Sequence, residues 1–184
     1  VHAPSTAGEP TPDEVDEGLF AGARLLHFNG RHEAAARHAV KLAQRHGVTI
    51  SFDGGAGRWR ESLRDLLGAS HIRIVAREFA ERCTGLGDLQ EMAAVLLRSP
   101  AQIVVITAGA GGSHVWTADG TYLHQPAFPC LVTDTTGCGD VYHGSFLEGW
   151  LKGWPVERCA GVASRQAALT TEKLGGRHAL RLKL

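Results

Sequence analysis

The chain has 184 residues, of which 43% are hydrophobic and 21% charged, and its formal net charge is +0. A chain of this size buries roughly 68–70% of its unfolded surface on folding, which is enough for one globular core. The balanced charge supplies no global field to attract nucleic acid or an anionic membrane, and the longest apolar runs are far too short to span a bilayer. Nucleic-acid and membrane partners are therefore not expected.

Four cysteines stand at positions 83, 130, 138 and 159, without a C-x-x-C pair. This scatter indicates thiols in a reducing compartment and predicts a cytoplasmic protein. The histidines form no H-E-x-x-H motif and no His/Cys cluster with zinc-like spacing. No signal peptide is recognised, and because the only methionine is Met92, we expect the chain to begin inside a longer gene product.

Residues 1–18 contain three of the seven prolines and predict an irregular N-terminal segment with a short helix around 13–17. Residues 19–184 form the predicted domain. Apolar periodicity predicts strands and helices in this order: strand 24–28, helix 31–46, strand 48–52, helix 58–67, strand 71–75, helix 77–83, helix 88–97 and strand 102–107. Such alternation implies right-handed crossovers and a mainly parallel sheet, so the predicted fold class is α/β.

The chain continues with a predicted hairpin and two helices. Strands 113–117 and 121–125 are joined by a short turn that contains Gly120. Helices are predicted over 138–152 and 156–171, with Pro155 at the first turn of the second, where its missing N–H costs little.

The run 133–150, TDTTGCGDVYHGSFLEGW, carries the strongest chemical signal. An extended segment delivers Asp134 and Thr136 to the turn Gly137-Cys138-Gly139, which opens directly into a helix. Glycines let backbone N–H groups approach a ligand closely, and the first N–H groups of a helix have no partner within it. Together with the helix dipole they predict an anion site suited to phosphoryl oxygens.

Asp140 lies in the first turn of that helix, at the edge of the predicted anion site. A carboxylate there can accept a proton from a substrate hydroxyl while the backbone stabilises the transferring phosphoryl group. Gly144, one turn later, has no side chain, so a substrate or another helix can approach this face of the helix closely. The alternative is a purely local one, because Asp and Gly are common at helix starts as caps and turns.

The full run resembles the C-terminal signature of the PfkB, or ribokinase-like, carbohydrate kinases, whose usual form is D-T-x-G-A-G-D-x-F-x-G. It departs from that form at Cys138 and Tyr142, which replace Ala and Phe. The resemblance implies that Asp140 is the catalytic base and that the N–H groups of Gly137, Cys138 and Gly139 form the anion hole. It extends from about Leu25 to Arg177 and implies a ribokinase-like, Rossmann-type three-layer α/β/α fold.

The segment 103–112, IVVITAGAGG, ends a strand in Thr107 and a glycine-rich turn. It is not a Walker A loop, since no G-K-[ST] follows. On its own it is typical of a glycine turn leading into a hairpin. Beside the later motif it resembles the T-x-G-x-x-G nucleotide segment of the family, which implies that Thr107, Gly109 and Gly112 contact ATP.

The stretch 74–85 lacks the N-x-x-E that ribokinase-like enzymes usually carry to organise magnesium and phosphate. Ala76 and Phe79 stand at the Asn and Glu positions, and Glu78 and Glu81 do not occupy them. A subgroup that includes ketohexokinase-like and sulfofructose-kinase-like proteins also lacks this pair. Glu78-Phe79-Ala80 and the closing Gly175-Gly176-Arg177 resemble that subgroup, and we expect Glu78 and Glu81 to lie on a solvated helix face.

Three further residues follow predicted strands, at the edge where open α/β sheets bind ligands. Asn29 and Arg31 are candidate substrate contacts, although a turn and helix cap is the alternative for Asn29-Gly30. Asp53 ends the next strand, and a strand-end Asp recurs near the phosphates in the resembled family. It is a candidate for an indirect metal contact, and the metal ligands are otherwise left open.

The resembled family opens with early sheet strands, a sugar-contacting Asp, a Gly-Gly-x-x-x-Asn motif and a β lid, and none of these occurs before Leu25. An exposed sheet edge would leave three alternatives: an inactive chain, a homodimer, or dependence on a complementary piece. The resemblance implies ATP-dependent phosphorylation of a sugar hydroxyl, with Mg²⁺ and optionally a monovalent cation such as K⁺. A nucleoside or vitamin kinase and a non-catalytic regulatory relative are the alternatives.

Overall fold

The computed structural model describes residues 8–176, so Arg177 and the two ends of the chain lie outside the described residues. Six strands form one sheet in sequential order. They are β1 (Leu25–Phe28), β2 (Thr49–Gly54), β3 (Ile72–Ala76), β4 (Ile103–Thr107), β5 (Ser113–Thr117) and β6 (Tyr122–Gln125). Strands β1 to β4 run parallel, and β4 to β6 are antiparallel neighbours. The predicted mainly parallel sheet is confirmed.

In the part of the chain that the structure describes, six α-helices cover both faces of this sheet. They are α1 (Glu33–Arg45), α2 (Arg64–Gly68), α3 (Arg77–Thr84), α4 (Leu89–Leu96), α5 (Cys138–Leu151) and α6 (Val156–Thr171). Apolar residues of α1 to α4 pack in one core cluster with Ile50, Phe52 and Val104, while those of α5 and α6 pack in a second with Ile72, Ile74 and Val105. The sheet thus separates two cores, which is the three-layer α/β/α arrangement predicted.

Alternation along β2 decides where its polar residues lie. Ile50 and Phe52 face the α1–α4 layer. Ser51 and Asp53, one residue out of phase, face α5 on the opposite side, because successive strand side chains point to opposite faces. This places a carboxylate at the carboxyl end of a central strand and beneath the start of α5.

The predicted helix over 58–67 was wrong in its first half. Residues 61–63 form a 3-10 turn, and the α-helix begins only at Arg64. Gly57 has a φ of +70°, and the side chain of Trp59 packs edge-on against Phe79 at 5.3 Å between ring centroids. The Arg60 guanidinium donates to Glu33 and to the carbonyl of Gly30. These tertiary contacts hold residues 58–60 extended, against their local helical pattern.

The N-terminal segment also differs from its prediction. Instead of a short helix around 13–17 it has two 3-10 turns, Pro12–Glu14 and Glu17–Phe20. The first is closed by a capping box between Thr11 and Glu14. Phe20 anchors the second turn in the α1–α4 core, so short-range caps and one buried ring organise this segment.

Within residues 8–176, β1 pairs only with β2. Its other side therefore presents unpaired backbone groups, the feature that makes an edge strand prone to pairing with another strand.

None of the described helices is long and apolar enough to cross a membrane.

Replacing Gly54 by alanine is expected to destabilise the fold by about 1–3 kcal/mol through overpacking. An added Cβ would lie 2.5 Å from Val75 Cγ1 and 2.8 Å from Phe79 Cδ1, both in the buried core. Urea unfolding measures the effect. The matched control is Gly68→Ala at the end of α2, where a Cβ meets nothing within 4 Å. Equal stability of the two variants would contradict the packing described here.

Candidate active site

The turn before α5 is fixed by one carboxylate and one close backbone contact. Asp134 accepts hydrogen bonds from the N–H of Thr136 at 2.8 Å and from the N–H of Gly175 at 2.9 Å. These backbone donors lower the pKa of Asp134. Gly137 has a φ of +77°, and a Cβ on it would lie 2.8 Å from the Cα of Gly176. The turn is therefore held against the segment that follows α6.

At the start of α5, one backbone amide donates a hydrogen bond within the preceding turn, and the others do not. The N–H of Cys138 donates to the carbonyl of Thr135 at 3.3 Å. Within residues 8–176, the N–H groups of Gly137, Gly139 and Asp140 donate to no backbone carbonyl. The amide of Cys138 is thus engaged in the turn, and Asp140 contributes a donor that the sequence pattern did not single out. Burial raises the pKa of the Cys138 thiol, which keeps it neutral.

A groove of about 470 Å³ opens beside Asp140. Its lining is shared between the first turns of α5, the ends of β1 and β2, one face of α1 and the N-terminal segment. Three predicted residues, Asn29, Arg31 and Asp53, line it together with Asp140 and Gly144. The candidate substrate contacts Asn29 and Arg31 and the candidate metal contact Asp53 therefore lie along the same groove as Asp140. The Oδ1 of Asn29 accepts from the N–H of Arg31 at 3.1 Å, so the turn predicted as the alternative for Asn29 is also present.

Thr107, Gly109 and Gly112 do not line this groove. Gly112 has a φ of +83°, and a Cβ on it would lie 2.2 Å from the carbonyl oxygen of Gln125, so only glycine fits there. Ser113, the next residue, is paired with Thr107 in the sheet. The glycine-rich turn and the start of β5 thus lie at the same end of the sheet as the carboxyl end of β2.

Tyr142 joins α5 to this glycine-rich side. Its hydroxyl donates to Ser113 Oγ at 2.8 Å in a buried contact, and burial raises its pKa to about 12, so it remains a donor. On the opposite side of the same helical turn, His143 contacts Asp53 at the end of β2. The first turn of α5 therefore lies between the glycine-rich turn on one side and the groove on the other.

Sequence reasoning missed a buried polar cluster beneath the groove. His143 Nδ1 lies 3.7 Å from Asp53 Oδ1, and Arg58 Nη1 lies 3.5 Å from Asp53 Oδ2. His27 Nδ1 hydrogen-bonds Ser51 Oγ at 3.1 Å, and its ring meets that of His143 edge-on at 5.6 Å. The sequence feature that could have indicated the cluster is His143 itself. It comes three residues after Asp140, and that spacing puts both residues on one side of a helix.

Burial lowers the pKa of His143 to about 4 and that of His27 below its ordinary value. Burial also raises the pKa of Asp53, an effect that Arg58 opposes. At neutral pH His143 is thus an uncharged ring beside Asp53, and their contact is not an ion pair.

Stability is expected to fall as the pH falls from about 6.5 toward 4, because the unfolded chain binds a proton at His143 that the fold excludes. His143→Leu should lose this contribution. Between pH 6.5 and 4, its free energy of unfolding should therefore fall by less than that of the wild type, with a difference of more than about 1.4 kcal/mol. Urea unfolding at several pH values measures both slopes. Parallel slopes for the two proteins would contradict a neutral buried His143.

The segment that lacks N-x-x-E carries no carboxylate into the groove. Phe79 is fully buried, and Ala76 is the N-terminal cap position of α3. Glu78 lies 3.8 Å from Arg82, and Glu81 accepts from Arg77 at 2.8 Å. Both glutamates are thus paired on the outer side of α3, as expected for a solvated face.

The whole chain matches one protein family. Residues 2–182 match the pfkB family carbohydrate kinases. The chain is 31% identical over 169 residues to the ATP-dependent ribose-1-phosphate kinase of Halopiger xanaduensis, covering 91% of this chain and 55% of that protein. It is 28% identical over 180 residues to the 5-dehydro-2-deoxygluconokinase of Shouchella clausii, covering 89% of this chain and 55% of that protein.

The fold is shared with solved kinases. A protein described as a ribokinase II from E. coli, in complex with ATP and Mg²⁺, superimposes with a TM-score of 0.83 at 20% identity, over 92% of this chain and 59% of that one. The fold is thus ribokinase-like, and the chain spans little more than half the length of the relatives it matches. Its sequence match and its architecture agree: the chain belongs to the pfkB family of carbohydrate kinases.

Proposed function

We propose that the protein to which this chain belongs transfers the γ-phosphoryl group of ATP to a hydroxyl of a sugar or a sugar-like alcohol. The observation that carries this proposal is the start of α5: there the amides of Gly139 and Asp140 donate to no backbone carbonyl of residues 8–176, and they adjoin a carboxylate that lines a groove. Amides aimed at an anion and a nearby proton acceptor are the two elements that phosphoryl transfer to an alcohol needs. Family membership supports the same reaction class.

In this mechanism Asp140 accepts the proton of the acceptor hydroxyl as that oxygen attacks the γ-phosphorus. The bond from the phosphorus to the β–γ bridging oxygen breaks, and ADP leaves. The amides of Gly139 and Asp140 hold the equatorial oxygens of the transferring group in line. The acceptor approaches from the groove, and the nucleotide from the side of the glycine-rich turn at Gly109–Gly112.

The residues on the nucleotide side fit a phosphate chain better than a protein-held metal. Among the described residues no three His, Cys, Asp or Glu side chains are grouped to hold a metal ion. Mg²⁺ commonly binds through one or two carboxylates and substrate phosphates, so this chain suits Mg²⁺ that arrives with ATP and neutralises its phosphate oxygens. Asp53, which has Arg58 3.5 Å from one of its oxygens, would be the candidate for an indirect contact to this ion.

Thr107, Gly109, Gly112 and Thr136 are the proposed nucleotide contacts, and Asn29 and Arg31 the proposed acceptor contacts. Arg31 is exposed and lines the groove, as Asp53 does. Arginine binds hydroxyl and anionic oxygens in a fixed fork geometry. Asn29 and Arg31 therefore provide polar recognition on the acceptor side.

A panel of acceptors tests the proposal. The full-length gene product is incubated with Mg²⁺, ATP and single sugars, nucleosides or vitamin alcohols, and ADP release above the acceptor-free rate is measured. Sugar-dependent release supports a carbohydrate kinase, while release with nucleosides alone assigns the alternative of the same fold. Nucleotide binding by calorimetry without transfer to any acceptor would identify a regulatory relative instead.

Repeating the assay with Na⁺ in place of K⁺ tests whether the reaction depends on a particular monovalent cation.

We also propose a cellular location and an oligomeric state for the protein. The four cysteines at 83, 130, 138 and 159 are free thiols, which supports a reducing, cytoplasmic location. The open side of β1 supports a homodimer through that edge when no other segment covers it. Sedimentation of the purified protein at several concentrations measures the second.

A further inference from the structure

The buried cluster beneath the groove has two polar atoms that find no hydrogen-bond partner within residues 8–176. They are His143 Nδ1 and Arg58 Nη1, and both are inaccessible to solvent. The side chain of His143 is only 8% exposed. Buried polar groups are paired in the great majority of cases, so two orphans side by side call for an explanation.

Both orphaned atoms face the same carboxylate from opposite sides. His143 Nδ1 lies 3.7 Å from Asp53 Oδ1 and Arg58 Nη1 lies 3.5 Å from Asp53 Oδ2. Each separation exceeds a good N–H···O hydrogen bond by only a few tenths of an ångström. A small closure would therefore pair both atoms at once and satisfy both carboxylate oxygens.

His143 is also placed to transmit such a closure to the reacting group. It lies one helical turn after Asp140, so a pull on its ring toward β2 acts on the first turn of α5. Tyr142, the residue before His143, already ties α5 to Ser113 on β5. A contact of His143 with Asp53 would add a second tie, to β2, and so fix the orientation of α5 at this end.

Besides Asp53 and Arg58, the charged and titratable groups that the described residues place around the ring are His27 on β1 and Tyr142 and Asp140 on α5. The neutral imidazole has one N–H. If it is to face the Asp53 carboxylate, that proton must be on Nδ1.

We propose that His143 is a positioning residue for phosphoryl transfer: its Nδ1–H and the Arg58 guanidinium together clamp the Asp53 carboxylate and so fix the first turn of α5, which carries Asp140. This inference rests on the proposed function for its catalytic consequence. The clamp itself is a structural arrangement that can be observed without turnover. Its role is to orient Asp140, and His143 touches neither substrate nor nucleotide.

Two substitutions at position 143 separate positioning from packing. His143→Asn keeps an N–H donor close to the place of Nδ1, while His143→Leu fills the space without a donor. We expect kcat of the full-length gene product to fall at least tenfold in the leucine variant, with KM for ATP changed less than about twofold, since loss of alignment acts on the transition state. The asparagine variant should recover most of this loss. His38→Leu on α1, outside the groove, is the control and should leave kcat unchanged.

Histidine ¹⁵N chemical shifts give the readout that does not depend on activity. We expect His143 in the Nδ1–H tautomer at neutral pH, with a shift that changes in Asp53→Asn. If wild-type protein transfers no phosphoryl group but the tautomer and its response to Asp53→Asn are present, the proposed function fails and the clamp stands. If wild-type protein is active and His143→Leu retains its kcat, or if the proton is on Nε2, the clamp is overturned.

Discussion

Asp140→Asn is expected to lower kcat by a factor of between about 10² and 10⁴, the range that a positioned proton acceptor supplies. Asparagine preserves size and hydrogen bonding but cannot take the proton of the acceptor hydroxyl. The dissociation constant for ATP should change by less than about threefold, because the proposed contact of residue 140 to ATP is its backbone N–H, which the substitution leaves in place. Steady-state ADP release measures the first effect, and calorimetry measures the second.

Glu148→Gln is the matched control for Asp140→Asn. It removes a carboxylate from the same helix, where Glu148 is exposed and pairs with Lys152 at 2.6 Å, away from the groove. Its kcat should equal that of the unmodified protein. An Asp140→Asn variant with more than a tenth of the wild-type kcat would contradict the assignment of Asp140 as the base.

The groove offers a second carboxylate, and its surroundings argue against Asp53 in that role. The side chain of Asp53 is 8% exposed, lies between Arg58 and His143, and has its pKa raised by burial. Asp140 is exposed at the groove wall and adjoins the amides of α5 that donate to no backbone carbonyl of the described residues. Only Asp140 therefore combines access to an acceptor hydroxyl with proximity to the anion site.

Gly137→Ala is expected to lower both stability and activity. The residue has a φ of +77°, in the left-handed region that costs an L-residue about 1–2 kcal/mol. Its new Cβ would also lie 2.8 Å from the Cα of Gly176, a backbone atom that cannot rotate away. We expect a loss of about 2–3 kcal/mol in the free energy of unfolding. Because the displaced turn carries the amides of the anion site, kcat should fall about 100-fold.

Gly161→Ala is the control for Gly137→Ala. It lies within α6, where a Cβ would meet only Gln125 Oε1 at an ordinary 3.5 Å. Alanine in a helix interior should stabilise this variant slightly and leave kcat unchanged. Urea unfolding and ADP release at saturating substrate compare the two. A Gly137→Ala variant as stable and as active as Gly161→Ala would show that the turn has no need of its glycine.

The sequence pattern predicted those elements that local periodicity determines. Apolar runs such as 103–106 correspond to the central strand β4, and the helix beginning at Cys138 starts where the glycine turn indicated. The three-layer arrangement, which the family resemblance implied, is confirmed. Asn29, Arg31 and Asp53 were singled out at strand ends and all line the groove, while their roles stay predictions. Carboxyl ends of parallel strands meet at one edge of a sheet, so residues distant in sequence could be grouped from strand ends alone.

Features that depend on tertiary contacts could not be predicted in this way. Residues 58–60 have a helical pattern, but Trp59 and Arg60 are drawn into contacts with Phe79 and Glu33. The N–H of Cys138 bonds to the carbonyl of Thr135, and the sequence pattern did not indicate which of the amides at this turn would be used in that way. His143 on α5 lies 3.7 Å from Asp53 on β2, a residue far away in the sequence, and a histidine in a helix gives no indication of which carboxylate it will face.

A crystal structure of the full-length gene product with Mg²⁺ and a non-hydrolysable ATP analogue tests the central claim most directly. That claim is that the start of α5 is the phosphoryl site. The expected result is a γ-phosphate oxygen within about 3.2 Å of the backbone nitrogen of Gly139 or Asp140, with the Asp140 carboxylate facing it across the groove. A γ-phosphate bound elsewhere, out of hydrogen-bond reach of both nitrogens, would contradict it.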